Sequence, residues 1–238
     1  MGTKHIILLI SFFYLSSFAQ KKYTVIYEVY PTFGSIEKSE DNDEKGFAFI
    51  FEGVDNAIRE IKYKMEYNNN ESCFKIIDII PENTKSYRLA KSYSGNEEFY
   101  CNKNLEYKVK IKNFLGNRFY IKDTSKYDWK IFNEIKIIDG KQCYKATAIK
   151  RIKIHSETKE YEITAWFCKD FPGYFGPKGY NGLPGLILEL IDDKITFIAK
   201  KIEISNSSIE NNIENKKIIT EIEYNEIVKN KSNNIFEN

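Results

Sequence analysis

The sequence predicts a mainly β protein, an antiparallel meander closing with a short C-terminal helix. Apolar residues alternate with charged ones at a period of two through several windows. Turn-forming pairs separate those windows at short intervals, and almost no stretch keeps helical spacing.

Tyr23, Val25, Tyr27 and Val29 alternate with other residues up to Pro31, which ends the first strand because proline brings no amide hydrogen to a ladder. Ser35 to Lys45 is polar without period and reads as a loop before the short apolar run Gly46 to Phe51. Ala57 to Tyr67 alternates most cleanly, with Ile61, Tyr63, Met65 and Tyr67 on one face and Glu60, Lys62, Lys64 and Glu66 on the other. Successive side chains point to opposite sides of a pleat, so this reads as a half-buried strand with a solvated charged face. After the turn Asn68-Asn69-Asn70 come strand windows at Cys73 to Ile80, Tyr107 to Lys112, Phe119 to Ile121 beyond a Gly116-Asn117 turn, and Trp129 to Ile138. Asp139-Gly140 then suits a two-residue hairpin, where both central residues need positive φ. Tyr144 to Ile154, Glu160 to Phe167, Leu186 to Ile191 and Ile195 to Ile204 complete the meander, with turns at His155 to Lys159 and Asp192-Asp193. Lys216 to Lys229 reads as strand passing into helix.

The beginning of the chain has a different grammar. Lys4 and His5 precede an apolar run from Ile6 to Tyr14, and Leu15 to Ala19 ends in small and polar residues, the order of a secretory leader. The run is too short for a bilayer, which needs about 20 apolar residues. The expected division is a signal peptide over 1–19, one β-rich domain over 20–230 and a frayed tail over 231–238. Cleavage after Ala19 leaves no cysteine at the new terminus, so the expected address is the periplasm or the cell surface without a lipid anchor or membrane span.

Charge argues against a polyanion partner held by bulk charge. Lys plus Arg number 36 against 34 acids, and removing the leader removes Lys4, leaving 35 against 34. A near-neutral chain has no bulk field for nucleic acid. The four cysteines, Cys73, Cys101, Cys143 and Cys168, lack zinc-site spacing, and His155 is the sole histidine beyond the leader, so neither a metal nor a cofactor is expected. Export makes bridges permissible. Cys73–Cys101 and Cys143–Cys168 are the expected pairs, each on neighbouring strand windows.

Catalytic constellations are sparse. His155 sits in the charged turn Lys153-Ile154-His155-Ser156-Glu157, where it reads as a solvated residue rather than a base. Carboxylates fall on alternating charged faces, as in Glu60 with Glu66 or Glu221 with Glu223, and no spacing marks a glycosidase pair. Neither a phosphate loop nor a dinucleotide fingerprint is present.

One segment departs from the meander. Trp166 to Leu190, WFCKDFPGYFGPKGYNGLPGLILEL, holds three of the five prolines and five of the 12 glycines. Fixed and permissive φ angles at this density specify one path. The segment reads either as a plug that inserts Tyr174, Phe175, Tyr180 and Leu183 into the core, or as a ligand or docking loop. Trp166, Phe175, Tyr180, Gly182, Leu183, Pro184, Gly185, Leu186 and Ile187 are its candidate functional residues.

Gly182-Leu183-Pro184-Gly185-Leu186-Ile187 resembles the signature of the GLPGLI family of exported Bacteroidota proteins. Its flanks are similar too: Ala165-Trp166-Phe167, Phe175-Gly176-Pro177, Gly179-Tyr180 and Ala199 to Ile202, with Phe114-Leu115-Gly116 and Cys143 to Thr147 upstream. Phe167 stands where the family often shows Tyr, and Cys168 is not a usual family position. The resemblance implies an envelope address and a β-rich single domain, and brings no catalytic residue with it. A strand ending in Trp before Gly-Leu-Pro is also similar to half-barrel lipoprotein carriers, whose curved sheet cups an acyl chain, a likeness of fold alone. The functional expectation is a non-enzymatic binder of a hydrophobic ligand or a protein segment, so a lipid, peptide or envelope protein. Two alternatives stand beside it. One is an enzyme or enzyme accessory acting on envelope glycans or peptides. The other is a module recruiting a partner through an exposed edge strand.

Overall fold

The computed structural model describes residues 21–32, 53–77, 85–154, 157–210 and 213–236. The leader, the loop expected at Ser35 to Lys45, the run Gly46 to Phe51 and His155 lie outside them. Strands dominate, as the sequence predicts, and form one twelve-stranded sheet that does not close on itself.

In chain order the strands are β1 (Lys22–Pro31), β2 (Lys62–Tyr67), β3 (Glu71–Ile77), β4 (Glu98–Asn102), β5 (Lys108–Phe114), β6 (Asn117–Asp123), β7 (Lys130–Ile138), β8 (Lys141–Ile154), β9 (Glu157–Cys168), β10 (Leu186–Asp192), β11 (Ile195–Ser205) and β12 (Ile218–Ile219). Their order across the sheet is β12-β6-β5-β4-β3-β2-β1-β11-β10-β9-β8-β7. Among the described residues only the β12–β6 pair is parallel. Two meanders, β1 to β6 and β7 to β11, therefore join through β1 and β11, which pair along their whole lengths. The Asp139-Gly140 hairpin turns where the sequence placed it, with φ of 49° and 72°, whereas the turn expected at Gly116-Asn117 falls one residue earlier, at Leu115 and Gly116 with φ of 48° and 73°.

Among the described residues three helices punctuate the sheet: α1 (53–60), α2 (Lys85–Ser94) and α3 (Glu221–Phe236). The alternation expected from Ala57 onward is corrected at its start, because Val54, Ile58 and Ile61 are buried at helical spacing and β2 begins only at Lys62. A helix and a strand compete for the stretch around Ile61, and the period of two holds only beyond it. α2 ends at Gly95, whose φ of 93° lets its amide reach the Lys91 carbonyl at 3.0 Å. α3 starts from a reciprocal cap: the Thr220 amide donates to Glu223 Oε2 at 2.6 Å, and the Glu223 amide to Thr220 Oγ1 at 3.2 Å. The tail expected to fray from 231 continues as helix to Phe236.

Tyr23, Val25, Tyr27 and Val29 of β1 face a core they share with Tyr63, Met65, Tyr67, Phe74, Phe197 and Leu190. Aromatic geometry orders its centre. The Tyr63 ring stacks on Phe74 at 5.0 Å, and Phe197 meets both edge-on. At the β5–β6 end, Ile213 and Ile218 cover Val109 and Ile111, while Tyr224 of α3 packs with Ile121 on the opposite face. Glu66, expected on a solvated face, is buried and paired with Lys22 at 2.9 Å. No helix among the described residues is long and apolar enough to cross a membrane.

Candidate functional site

The proline- and glycine-rich connection from β9 to β10 lies across the core face of the sheet. Phe175 and Asn181 form an isolated antiparallel bridge, and the Gly182 amide donates to the Tyr174 carbonyl at 2.9 Å. Between them Pro177–Gly179 makes one 3-10 turn, closed by the Tyr180 amide on the Pro177 carbonyl at 3.1 Å. The Gly185 amide then returns to the Leu183 carbonyl at 2.9 Å, a three-residue turn centred on Pro184. At Gly185 a Cβ would stand 2.3 Å from the carbonyl oxygen of Cys168, so only glycine lets the end of the connection press against its beginning.

This path inserts Phe175, Tyr180, Leu183, Leu186 and Ile187 into the core, and leaves Tyr174, Gly182 and Pro184 exposed. Three of the four side chains assigned to the plug are thus buried, and Tyr174 is not. Tyr27 donates its hydroxyl to the Ile187 carbonyl at 2.7 Å, which ties the entrance of β10 to the centre of the sheet. Trp166 is separated from the other candidates. It pairs with Glu189 on the opposite face of β9, under the Lys136 ammonium at 5.5 Å.

The segment between β6 and β7 completes the site. Tyr127 packs on Tyr180 at 4.5 Å, and Trp129 Nε1 donates to the Asn181 carbonyl at 2.8 Å. Asp123, Ser125, Lys126 and Tyr127 form the rim shared by two clefts. The first, about 480 Å³, continues to Tyr107, Lys108, Tyr174 and Gly182. The second, about 660 Å³, continues to Glu97, Phe99, Lys150, Lys178 and Asp192.

Their charges are mostly matched internally. The Asp192 side chain is 2% exposed, with Lys150 Nζ at 2.8 Å and Lys178 Nζ at 2.9 Å. Burial works to raise its pKa, but the two ammonium groups outweigh burial and hold it below the usual carboxylate range. Lys108 is buried against Asp123 at 3.6 Å and donates to Ser125 Oγ at 2.9 Å. Burial pulls the Lys108 pKa down, while burial of Asp123 is outweighed by Lys108 and by hydrogen bonds from Ser125, leaving its pKa lowered. Lys108 thus touches both an acidic side chain at the end of β6 and a hydroxyl of the segment that follows it. Both carboxylates serve as counter-ions, whereas a glycosidase acid needs a raised pKa. No group of His, Cys, Asp and Glu among the described residues could hold a metal ion.

Sequence reasoning does not bring Asp192, Lys150, Lys108 or Tyr127 forward. Asp192 reads as half of a turn, yet it keeps the inward parity of Leu190 two residues before it. A carboxylate continuing an apolar face is the available signal.

No bridge joins any of the four cysteines in the structure. The Cys73–Cys101 bridge expected from the sequence is not formed, because Cys101 lies opposite Ser72 and Cys73 opposite Tyr100. One residue of offset points the two side chains to opposite faces of the sheet. Cys143 and Cys168, the other expected pair, are direct register partners on β8 and β9.

The sheet's two ends are treated differently. β12 is short and flanked by α3, which contacts β6. β7 has a ladder partner on one side only among the described residues, and three of its isoleucines, Ile131, Ile135 and Ile137, are 50%, 56% and 63% exposed.

Residues 152–189, which run from the end of β8 through the connection into β10, match the family model described as a protein of unknown function (Porph_ging), associated with Bacteroidota. The similarity thus falls on the segment that builds the plug. No curated protein and no solved structure matches the chain.

Proposed function

We propose that this chain is an exported envelope protein of the GLPGLI type that takes an extended protein segment onto the open edge of its sheet, without catalysis. The observation that carries this reading is β7. Nine residues long, it presents three exposed isoleucines and a row of backbone groups with no ladder partner among the described residues. Sheet edges of this kind are templates for strand addition, and proteins otherwise blunt them. A lipid is the less favoured guest, because Phe175, Tyr180, Leu183 and Ile187 occupy the face that would have cupped it. The partner's chemistry follows from the strand: a segment with apolar side chains on one face, to cover Ile135 and Ile137, and few prolines.

A photoreactive side chain placed at Asn133 of the exported chain tests this in envelope preparations. Adducts are expected from that position and not from Arg118 on β6. They are expected to disappear in an Ile135→Lys/Ile137→Lys variant whose thermal unfolding is unchanged. Equal adducts from both positions, or adducts indifferent to the two lysines, would sink the reading.

A further inference from the structure

Cys143 and Cys168 lie directly opposite each other on β8 and β9, in the longest ladder of the sheet. Opposed residues of an antiparallel pair have Cα atoms about 4.5 to 5.5 Å apart, inside the range a disulfide spans. Both residues are fully buried, and the Cys143 thiol donates to the Lys141 carbonyl at 3.6 Å. Cys73 and Cys101 fail the same criterion because their side chains leave opposite faces of the sheet.

We infer that Cys143 and Cys168 join as a single cross-strand disulfide during folding, leaving Cys73 and Cys101 as thiols, and that this bridge clamps the proline- and glycine-rich connection at its root. Cys168 is the last residue of β9, and Gly185 at the far end of the connection presses on its carbonyl. One covalent link therefore fixes the point where the connection both leaves and returns.

The oxidant is a dithiol carrier in its disulfide form, the class that oxidises exported proteins. One cysteine thiolate attacks the carrier disulfide and displaces one carrier thiol. The second cysteine thiolate then attacks the mixed disulfide, and the carrier leaves as a dithiol with both electrons. Burial pushes the Cys143 thiol up to about 12, so exchange belongs to the folding chain, before β8 and β9 close.

The test is a thiol count on two preparations: the chain recovered from the envelope, and the chain refolded from denaturant in a glutathione redox buffer. Two thiols are expected to titrate under denaturing conditions, with a non-reduced peptide pair joining Cys143 to Cys168. A Cys73→Ser/Cys101→Ser variant is expected to keep the bridge and show no thiol. Cys143→Ser is expected to show three thiols and faster trypsin cleavage after the exposed Lys169. Four thiols in the refolded chain, or a bridge that includes Cys73 or Cys101, overturns the pairing. An intact bridge with cleavage at Lys169 no slower than in Cys143→Ser overturns the clamp.

Discussion

Trp129 donates its indole N–H to the Asn181 carbonyl across 52 residues of sequence, at 2.8 Å. Through that bond the segment before β7 holds the residue that precedes the GLPG turn. Trp129→Phe keeps an aromatic ring and removes the donor, so the carbonyl is left to water. A loss of about 1 kcal/mol is expected from denaturant unfolding. Intrinsic fluorescence checks the same change, because Trp129 and Trp166 are the protein's two tryptophans.

Asp192 is a buried carboxylate between two ammonium groups, and Asp192→Asn leaves both lysines without their counter-charge. Breaking one partner out of a buried pair costs about 3 to 5 kcal/mol, and the unfolding midpoint should fall accordingly. The pH dependence has a definite sign. The folded-state pKa is below the ordinary value of 3.8, so the stabilisation is fully present above about pH 4 and is lost as pH drops through the folded value. Acid unfolding of Asp192→Asn should therefore show a shallower limb below pH 4 than the parent.

Gly182 and Gly185 share one sequence motif and have different structural roles. A Cβ at Gly185 collides with the backbone of Cys168, while one at Gly182 meets only the Trp129 ring at 3.7 Å. Gly185→Ala is expected to lose about 3 kcal/mol or more, combining positive-φ strain with overpacking. Gly182→Ala, strained only by its φ of 97°, is expected to lose about 1 kcal/mol. Equal losses in thermal unfolding would refute the distinction.

Tyr67 stacks on Tyr23 with ring centroids 4.8 Å apart, and its hydroxyl is buried without a hydrogen-bond partner among the described residues. Burial pushes its pKa far above the ordinary tyrosine value, so it stays protonated throughout the usual pH range. Tyr67→Phe keeps the stack and removes an unpaired polar atom. It should be neutral or gain up to about 1 kcal/mol in denaturant unfolding. A clear loss would mean that the hydroxyl is bound.

The strands are legible in the sequence because period two is a local property. Tyr23 to Val29 and Ile61 to Tyr67 each announce a buried face without knowledge of their neighbours. The Asp139-Gly140 hairpin is legible for the same reason. α2 and β4 are not, since Lys85 to Ser94 buries only Ala90 and Ser94 and its apolar stripe is thin. The cap of α3 has a readable local signature, a threonine at Thr220 with Glu223 three residues later.

Side-chain meetings between strands far apart in the chain are not legible. Lys150 reaches Asp192 only because β8 and β10 face one cleft, whereas Lys108 and Asp123 are register partners within the β5–β6 hairpin. The same holds for the cysteines, where a register offset of one residue separates a possible bridge from an impossible one.

The unequal ends of the sheet limit how copies of this protein can grow on one another. An assembly built by strand addition needs two open edges on every unit to propagate, as a chain of links needs two hooks. Here the β12 end is short and flanked by a helix, so β7 is the longer open edge among the described residues. Edge-to-edge association through it stops once that side is occupied, whether by a partner's segment or by a second copy. An association of that kind would close as a pair rather than extend as a filament.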